Sequence, residues 1–204
     1  MIKQYITKMR AFKEIKIKFR LENKKDIQKK LLSMDWVISS LYFQKEYRIK
    51  DLKDELSRNG IFPRARSESG KSTFTIKVNP NGEMPKNNCK YFERLEYNLE
   101  IEDAQKMAEM FSLLGYKYRI LEKYRQDWIN PDKKSSLSIF IDSLPFGNYM
   151  ELEGSPKEIE LMVKNLSLEK NTRITVAYWK EYKRYCEENN LIEEDQLSFK
   201  RDLI

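Results

Sequence analysis

Apolar and charged residues alternate along several stretches of this chain. In residues 12–21 (FKEIKIKFRL), every second position from Ile15 onward is apolar, and glutamate, lysine or arginine stands at most positions between. A period of two predicts a β-strand with one apolar and one charged face. The same alternation recurs in residues 91–101 and 116–129. Further strands are predicted over residues 36–49, 62–67, 72–78, 137–142 and 148–153.

Helices are predicted where apolar residues instead recur every three or four positions. Asp26 is expected to cap a short helix that ends near Met34 and buries Leu32. A second helix is predicted over residues 103–114, with Leu114 on its apolar face. Two more are predicted, one starting at the capping box Ser155-Pro156-Lys157-Glu158 and one over residues 176–188.

The order of these elements repeats once along the chain. A strand, a helix and three strands occupy residues 13–78, and the same order recurs in residues 91–153. The repeat is one of architecture and not of sequence, and it gives about eight strands in an α+β fold. Helices can cover the apolar faces of these strands. The charged faces would meet water in an open sheet, or one another in a closed barrel, and the pattern alone leaves both open.

Composition excludes several kinds of catalytic site. The chain has 204 residues, 40% of them hydrophobic, and no histidine. Catalytic triads, Cys-His nucleophiles and histidine-containing zinc sites are therefore excluded. Cys89 and Cys186 are the two cysteines; they are too few for a four-cysteine zinc site, and we expect two reduced thiols.

The positive charge is concentrated near the start of the sequence. The net charge is +7, while residues 1–30 hold eleven Lys or Arg against three Asp or Glu. Such a local excess indicates a phosphate-bearing partner, either nucleic acid or a small polyphosphate, with a solvated basic face as the alternative. The sequence contains neither an apolar stretch of 18 residues nor a secretory signal. We therefore expect a cytoplasmic protein without a membrane partner.

The charged strand faces supply the candidate functional residues. They are Glu14, Lys16, Lys18, Arg64, Arg66, Lys77, Arg94, Glu96, Lys123, Arg125, Asp142, Glu151 and Glu153. If a closed barrel brings them together, like charges would lie close to one another at a high electrostatic cost. A polyphosphate bound with a divalent metal would balance both signs of charge.

The order of these motifs resembles that of the CYTH, or triphosphate tunnel metalloenzyme, superfamily. The family opens with an ExExK strand, where this chain has Glu14-Ile15-Lys16-Ile17-Lys18. The later family motifs are matched by Arg64 and Arg66, Lys77, Arg94-Leu95-Glu96, Lys123-Tyr124-Arg125, Asp142, Gly147 and Glu151-Leu152-Glu153. The resemblance extends from about residue 12 to residue 188. Residues 144–154 and the late helix are most similar to class IV adenylyl cyclases.

The resemblance implies a fold and a reaction. It implies one domain over residues 1–204, with a core at about 12–188 and a tail at 189–204, built as a closed eight-stranded antiparallel barrel with flanking helices. The barrel would form a tunnel for a triphosphate and for Mg2+ or Mn2+. The implied reaction converts ATP to cyclic AMP and pyrophosphate. The alternative is hydrolysis of tripolyphosphate, thiamine triphosphate or a nucleoside triphosphate. A symmetric dimer is plausible because such dimers are the commonest oligomers of soluble proteins.

The resemblance also implies roles for individual residues. Phosphate binding falls to Lys18, Arg64, Arg66, Lys77, Arg94, Lys123 and Arg125. Metal binding falls to Glu14, Glu96, Asp142, Glu151 and Glu153, whose oxygens suit a hard cation. Because the chain has no histidine, deprotonation of the nucleophile would fall to metal-bound hydroxide, to a carboxylate or to the substrate phosphate. The catalytic candidates are Glu14, Lys18 and Glu96.

Lys16 departs from the family pattern, which has an acidic residue there. The change replaces a negative charge by a positive one and would disfavour a metal ion at that point. Asn98 likewise stands where the family often has another acid. Two further hypotheses therefore stay open beside the enzyme. One is a degenerate module that binds a nucleotide or polyphosphate without turning it over, and the other is a nucleic-acid binder that uses the basic first thirty residues.

Overall fold

The computed structural model describes residues 11–80, 89–130 and 135–200. Within these ranges the strands are β1 Phe12–Leu21, β2 Val37–Lys50, β3 Ile61–Glu68, β4 Lys71–Val78, β5 Phe92–Ile101, β6 Lys117–Ile129, β7 Ser138–Leu144, β8 Gly147–Glu153 and β9 Gln196–Leu197. The helices are α1 Lys24–Ser33, α2 Glu55–Arg58, α3 Ala104–Leu113, α4 Pro156–Asn165 and α5 Tyr178–Asn189. The elements follow the predicted order along the chain.

The strands form one closed sheet. Their spatial order is β2-β3-β4-β5-β1-β8-β7-β6-β9, and β2 also pairs with β6. This additional pairing joins the two ends of the eight-strand sequence, so that β1 to β8 close into an antiparallel barrel. The predicted barrel is therefore confirmed, and the short β9 pairs outside it on β6.

The chain divides into two compact units. The first contains the start of β1 through Glu14, β3, β4, nearly all of β5, α2 and α3, and the second contains β1 from Ile15 onward, β7, β8, β9, α1, α4 and α5. The strands β2 and β6 are divided between the units. These units do not follow the two halves of the predicted repeat, because β1 pairs with β8 from the other half. The expectation of a single domain is not tested by this division and stays a prediction.

Each unit has its own apolar core. In the second unit, α1 and α4 cover the apolar faces of β1, β7 and β8, with Phe19, Leu31, Ile141 and Ile159 among the fully buried residues. In the first unit, α3 packs Ala104 and Ala108 near Ala65 of β3 and Tyr47 of β2. The apolar faces of β1, β7 and β8 are thus covered by helices, as expected from the period-two pattern, whereas Leu41 and Phe43 of β2 are exposed.

Three local predictions about helices are wrong. Asn23, not Asp26, caps α1, because the Asn23 side chain accepts a hydrogen bond from the Lys25 backbone N–H and Asp26 lies inside the first turn. Leu32 is 55% exposed, since α1 packs through Ile27 and Leu31 and the next position points away. Leu114 is 73% exposed because α3 ends one residue before it.

The turn, cysteine and membrane expectations can also be compared with the structure. Ser69 and Gly70, both with positive φ, connect β3 to β4 as the hairpin signal predicted. Part of the predicted loop over residues 79–89 lies outside the described residues. Cys89 is exposed and Cys186 is buried, and both are free thiols. In the described part of the chain, every helix is too short or too polar to cross a bilayer.

Candidate functional site

Most of the charged face of β1 is buried, with Arg20 at its exposed end. Glu14, Lys16 and Lys18 are all buried, and Lys18 is only 1% exposed. On the neighbouring strand β8, Glu151 is 3% exposed and pairs in register with Lys18. An open sheet would leave these side chains in water. Their burial agrees with the closed sheet and answers the question that the sequence pattern left open.

Asp142 on β7 is the centre of a buried network in the second unit. Arg125 of β6 donates to it in a bidentate arrangement, with Nε 2.7 Å from Oδ1 and Nη2 2.6 Å from Oδ2. Lys123 Nζ and the Tyr178 hydroxyl each donate to Oδ2, both at 2.8 Å. The antiparallel register of β6 and β7 sets Arg125 opposite Asp142. These cations hold the pKa of Asp142 below its usual range against the opposing effect of burial.

Glu151 on β8 extends the same network. Arg125 Nη2 lies 2.8 Å from Glu151 Oε2, and Lys16 Nζ lies 3.5 Å from the same oxygen. Burial would raise the pKa of Glu151, but Lys16, Arg125, Lys123 and Lys18 hold it well below its usual range. Glu151 is therefore a carboxylate surrounded by cations. Glu153, two residues later on β8, is only partly buried and its Cα pairs with that of Lys16.

Lys18 lies against aromatic rings in the second unit. Its Nζ is 5.0 Å from the centroid of the Phe92 ring and 5.3 Å from that of Tyr178. Its backbone exchanges hydrogen bonds with Ile174, which precedes α5. Ring faces attract an ammonium group but do not neutralise its charge. The Lys18 ammonium group therefore lies among aromatic rings and is almost inaccessible to solvent.

Four buried cations, Lys16, Lys18, Lys123 and Arg125, lie around the two carboxylates of Asp142 and Glu151. Among the described residues, the second unit also buries Glu122 and Glu181, which contact Phe199 and Arg184, so that its buried cations and carboxylates are equal in number. Burial, followed by the nearby Arg125, lowers the pKa of Lys123 to about 8. Lysine and arginine side chains gathered in one place bind phosphate oxygens. This cluster is therefore a candidate site for an anionic ligand.

A second cluster lies in the first unit. Lys77 of β4 pairs with Glu96, its register partner on β5, and lies 3.2 Å from a carboxylate oxygen of Glu14. The neighbouring strand β3 carries two arginines: Arg64 pairs with Glu46 and Arg66 with Glu68, each at 3.0 Å. The structure therefore brings Glu14 and Glu96 together through Lys77, and it places the two arginines on one face of β3.

Arg94 is buried beside another arginine in this cluster. Its guanidinium carbon lies 4.0 Å from the centroid of Phe62, and that of Arg48 lies 5.3 Å from the same ring. Burial, followed by the charge of Arg48, lowers the pKa of Arg94 to about 10. Planar guanidinium groups bind phosphate oxygens in pairs of hydrogen bonds. An anion placed here would relieve the repulsion between the two arginines.

The acids predicted to bind metal do not form a metal site in the described part of the chain. No group of three or more acidic, cysteine or histidine side chains that could hold an ion occurs there. Asp142 and Glu151 contact Lys and Arg, and Glu14 and Glu96 contact Lys77. Mg2+ and Mn2+ need carboxylate oxygens that are not already held by cations. These side chains therefore fit ion pairs better than they fit a divalent ion, and the predicted metal requirement stays untested.

The sequence analysis missed several members of these clusters. One of them is Tyr178, whose hydroxyl donates a hydrogen bond to Asp142. Its position within the predicted last helix does not indicate this contact. Glu46 and Arg48 did carry a signal, since they occupy alternate positions of β2 together with Gln44. The sequence gave no signal for Phe62, whose ring lies against Arg94, or for Phe140, whose ring lies against Arg125.

Comparisons with known proteins point to one group. No protein-family model matches the chain. A protein of Methanocaldococcus jannaschii named "Putative adenylate cyclase" is 25% identical over 177 residues, which cover 81% of this chain and 95% of that protein. At this level of identity, the match is consistent with the resemblance stated from the motifs.

Solved structures share the fold. That of a Vibrio parahaemolyticus protein, also named a putative adenylate cyclase, superposes with a TM-score of 0.65 at 13% identity, covering 85% of this chain and 99% of the other. That of a Hippeastrum protein superposes with a TM-score of 0.58 at 15% identity, covering 91% and 100%. The Hippeastrum protein is described as a putative adenylyl cyclase that reveals a dominant triphosphatase activity. The resemblance to adenylyl cyclase-like CYTH proteins is confirmed.

Proposed function

We propose that this chain, which resembles the adenylyl cyclase-like CYTH proteins in sequence and fold, is an enzyme that binds a triphosphate and cleaves one of its phosphoanhydride bonds. The observation that carries the proposal is the cluster of four buried cations, Lys16, Lys18, Lys123 and Arg125, around Asp142 and Glu151. A condensed phosphate is a ligand of the opposite sign and of high charge density. In the first unit, the partly buried Arg64 and Arg66 and the buried Arg94 suit phosphate oxygens as well.

Two reactions are compatible with this site. In cyclisation, the ribose 3′ oxygen of ATP would bond to the α phosphorus, the bond from that phosphorus to the bridging oxygen would break, and pyrophosphate would leave. In hydrolysis, water would attack instead and orthophosphate or pyrophosphate would leave. The name of the M. jannaschii relative favours cyclisation, and the activity described for the Hippeastrum protein favours hydrolysis. We propose cyclisation first and hydrolysis as the second candidate.

The chain's own residues suggest how the reaction would be assisted. In the first unit, Glu14 and Glu96 are carboxylates held by Lys77, and either would accept a proton from a nucleophile bound beside it. In the second unit, Lys18, Lys123 and Arg125 would neutralise the charge that develops on phosphate oxygens bound there. A divalent ion, where activity requires one, would enter bound to the phosphate chain, because the described carboxylates are engaged by cations.

The nucleic-acid hypothesis stays a prediction. Of the eleven positive charges in the basic first thirty residues, those of Lys16 and Lys18 are buried, whereas those of Arg20, Lys25 and Lys29 are exposed. Cations that neutralise nucleic-acid phosphates must lie on an accessible surface. Lys30 on α1 donates a hydrogen bond to the Leu166 carbonyl, and Lys24 donates one to Ser143. Some of the basic side chains in the first thirty residues are therefore buried or make hydrogen bonds within the protein.

A product panel tests the proposed function. The full chain is incubated with ATP, other nucleoside triphosphates, thiamine triphosphate and tripolyphosphate, each with Mg2+, with Mn2+ or with EDTA, and the products are separated by chromatography. Cyclic AMP and pyrophosphate from ATP support cyclisation, and orthophosphate release supports hydrolysis. Tight binding without any product supports the degenerate binding module. Neither binding nor turnover by folded protein would refute the proposal.

Affinity for tripolyphosphate should fall as the pH rises through 8. Lys123, whose pKa is lowered to about 8, is charged below that value and loses its proton above it. Because only the charged form attracts the anion, affinity should drop by up to about tenfold between pH 7 and pH 9. Calorimetric titrations at both pH values measure this ratio. In Lys123→Arg the side chain stays charged, so any fall that remains reflects titration of the ligand itself; an equal fall in both proteins would contradict the assignment.

A further inference from the structure

We propose that Lys16 is a built-in counter-ion for Glu151, and that this part of the protein binds condensed phosphate without a divalent metal. The inference rests on the proposed function, because it concerns how the same phosphate chain is held. Lys16 Nζ lies 3.5 Å from Glu151 Oε2, the oxygen that also accepts from Arg125. Both Lys16 and Glu151 are buried, so that little water screens their attraction.

The position of Lys16 follows from the strand register. Lys16 and Lys18 lie on the same face of β1, and Glu151 of β8 pairs in register with Lys18. The Lys16 ammonium therefore reaches Glu151 diagonally across the pair of strands, a distance that long side chains span. The contact is set by the pairing of two central strands and not by a mobile surface side chain.

The consequence for a metal ion is electrostatic. A divalent cation that coordinated Glu151 would lie beside the fixed charges of Lys16 and Arg125, both of which already contact this carboxylate. Repulsion between such neighbours is strong where water is excluded. The carboxylate would have to give up at least one of its cations before it could hold the metal. In this chain, Lys16 and Arg125 balance the negative charge of Glu151 that a metal ion would otherwise balance.

The cluster of cations also determines whether the phosphate ligand binds with or without a metal ion. Lys16, Lys123 and Arg125 contact the carboxylates of Glu151 and Asp142, and Lys18 is buried on the same face of β1 as Lys16. Such a cluster of cations attracts phosphate oxygens that carry no bound metal. The preferred ligand of this cluster is therefore a free condensed phosphate, and added Mg2+ should bring little gain in affinity.

Calorimetric titration of inorganic tripolyphosphate in EDTA and in excess Mg2+ tests the inference. For the wild-type chain we expect dissociation constants that agree within about threefold. Lys16→Gln should weaken binding in EDTA by about tenfold or more, because one charged contact is lost. Lys13→Gln is the matched control on the same strand, since Lys13 is exposed and pairs with Glu93 at the surface; it should bind as the wild type does.

A separate titration with Mn2+ alone, followed by electron paramagnetic resonance, reports on the metal directly. The wild-type chain should bind no Mn2+ at Glu151, whereas Lys16→Glu should gain a Mn2+ site. Circular dichroism confirms that each variant is folded, and Lys16→Gln serves if Lys16→Glu does not fold. Binding of tripolyphosphate that requires Mg2+ in the wild type, or Mn2+ binding that Glu151→Gln abolishes, would overturn the inference and leave the proposed function standing. Absence of tripolyphosphate binding under every condition would overturn both.

Discussion

Replacing Arg125 by methionine should lower the free energy of unfolding by about 3–5 kcal/mol. Arg125 contacts both Asp142 and Glu151, and all three side chains are buried. Without the guanidinium, the two carboxylates would keep Lys123, Tyr178 and Lys16 as partners but would lose their shared one. The large cost reflects uncompensated buried charge, not the intrinsic strength of one ion pair.

Urea denaturation followed by circular dichroism measures this change. Lys183→Met provides the matched control, because Lys183 forms an exposed ion pair with Glu187 on α5. Its loss should change stability by less than about 0.5 kcal/mol. If Arg125→Met cost no more than this control, the buried network would not exist in solution as described.

Replacing Arg64 by glutamine should weaken tripolyphosphate binding by about 10- to 100-fold. Arg64 is largely buried and donates to Glu46 through Nη1, while its Nε has no hydrogen-bond partner in the described structure. Burial lowers the pKa of Arg64, but Glu46, Glu96 and Glu14 outweigh that effect and raise it. Arg64 therefore stays charged at any working pH and has a donor available for a phosphate oxygen.

Calorimetry at pH 7 measures this loss, with Arg58→Gln as the control. Arg58 is an exposed residue of the short helix α2, and its replacement should leave affinity unchanged. A thermal melt of each variant separates lost binding from lost folding. Equal affinity of Arg64→Gln and the wild type would remove Arg64 from the phosphate-binding set.

The alternation of residues was sufficient to predict the strands and their two kinds of face. Ile17 and Phe19 lie in the apolar core, and Lys16 and Lys18 lie on the other face of β1. Period two fixes which side chains share a face, since consecutive residues point to opposite sides. It does not fix what that face meets. Burial of the charged faces depends on the pairing of β2 with β6, a long-range contact without a local signature.

The ion-pair and hydrogen-bond partners within the site could not be predicted from the sequence either, because they also depend on long-range contacts. Lys77 meets Glu96 because β4 and β5 pair in one particular register. The bond from Tyr178 to Asp142 depends on the placement of α5, which local periodicity does not encode. The motif resemblance named many of the charged residues that the structure brings together in ion pairs, but their assigned roles stay predictions. It assigned Glu151 to a metal, and the structure places that carboxylate against Lys16 and Arg125. Whether a metal also binds stays a prediction.

The most direct test of the account is a calorimetric titration of tripolyphosphate into the wild-type chain at pH 7, with sulfate at equal ionic strength as the reference. The account holds that the buried cations clustered around Asp142 and Glu151 bind a condensed phosphate. It predicts saturable binding of tripolyphosphate and no saturable binding of sulfate. Folded protein that shows no saturable heat with tripolyphosphate, or the same weak heat with both anions, would contradict it.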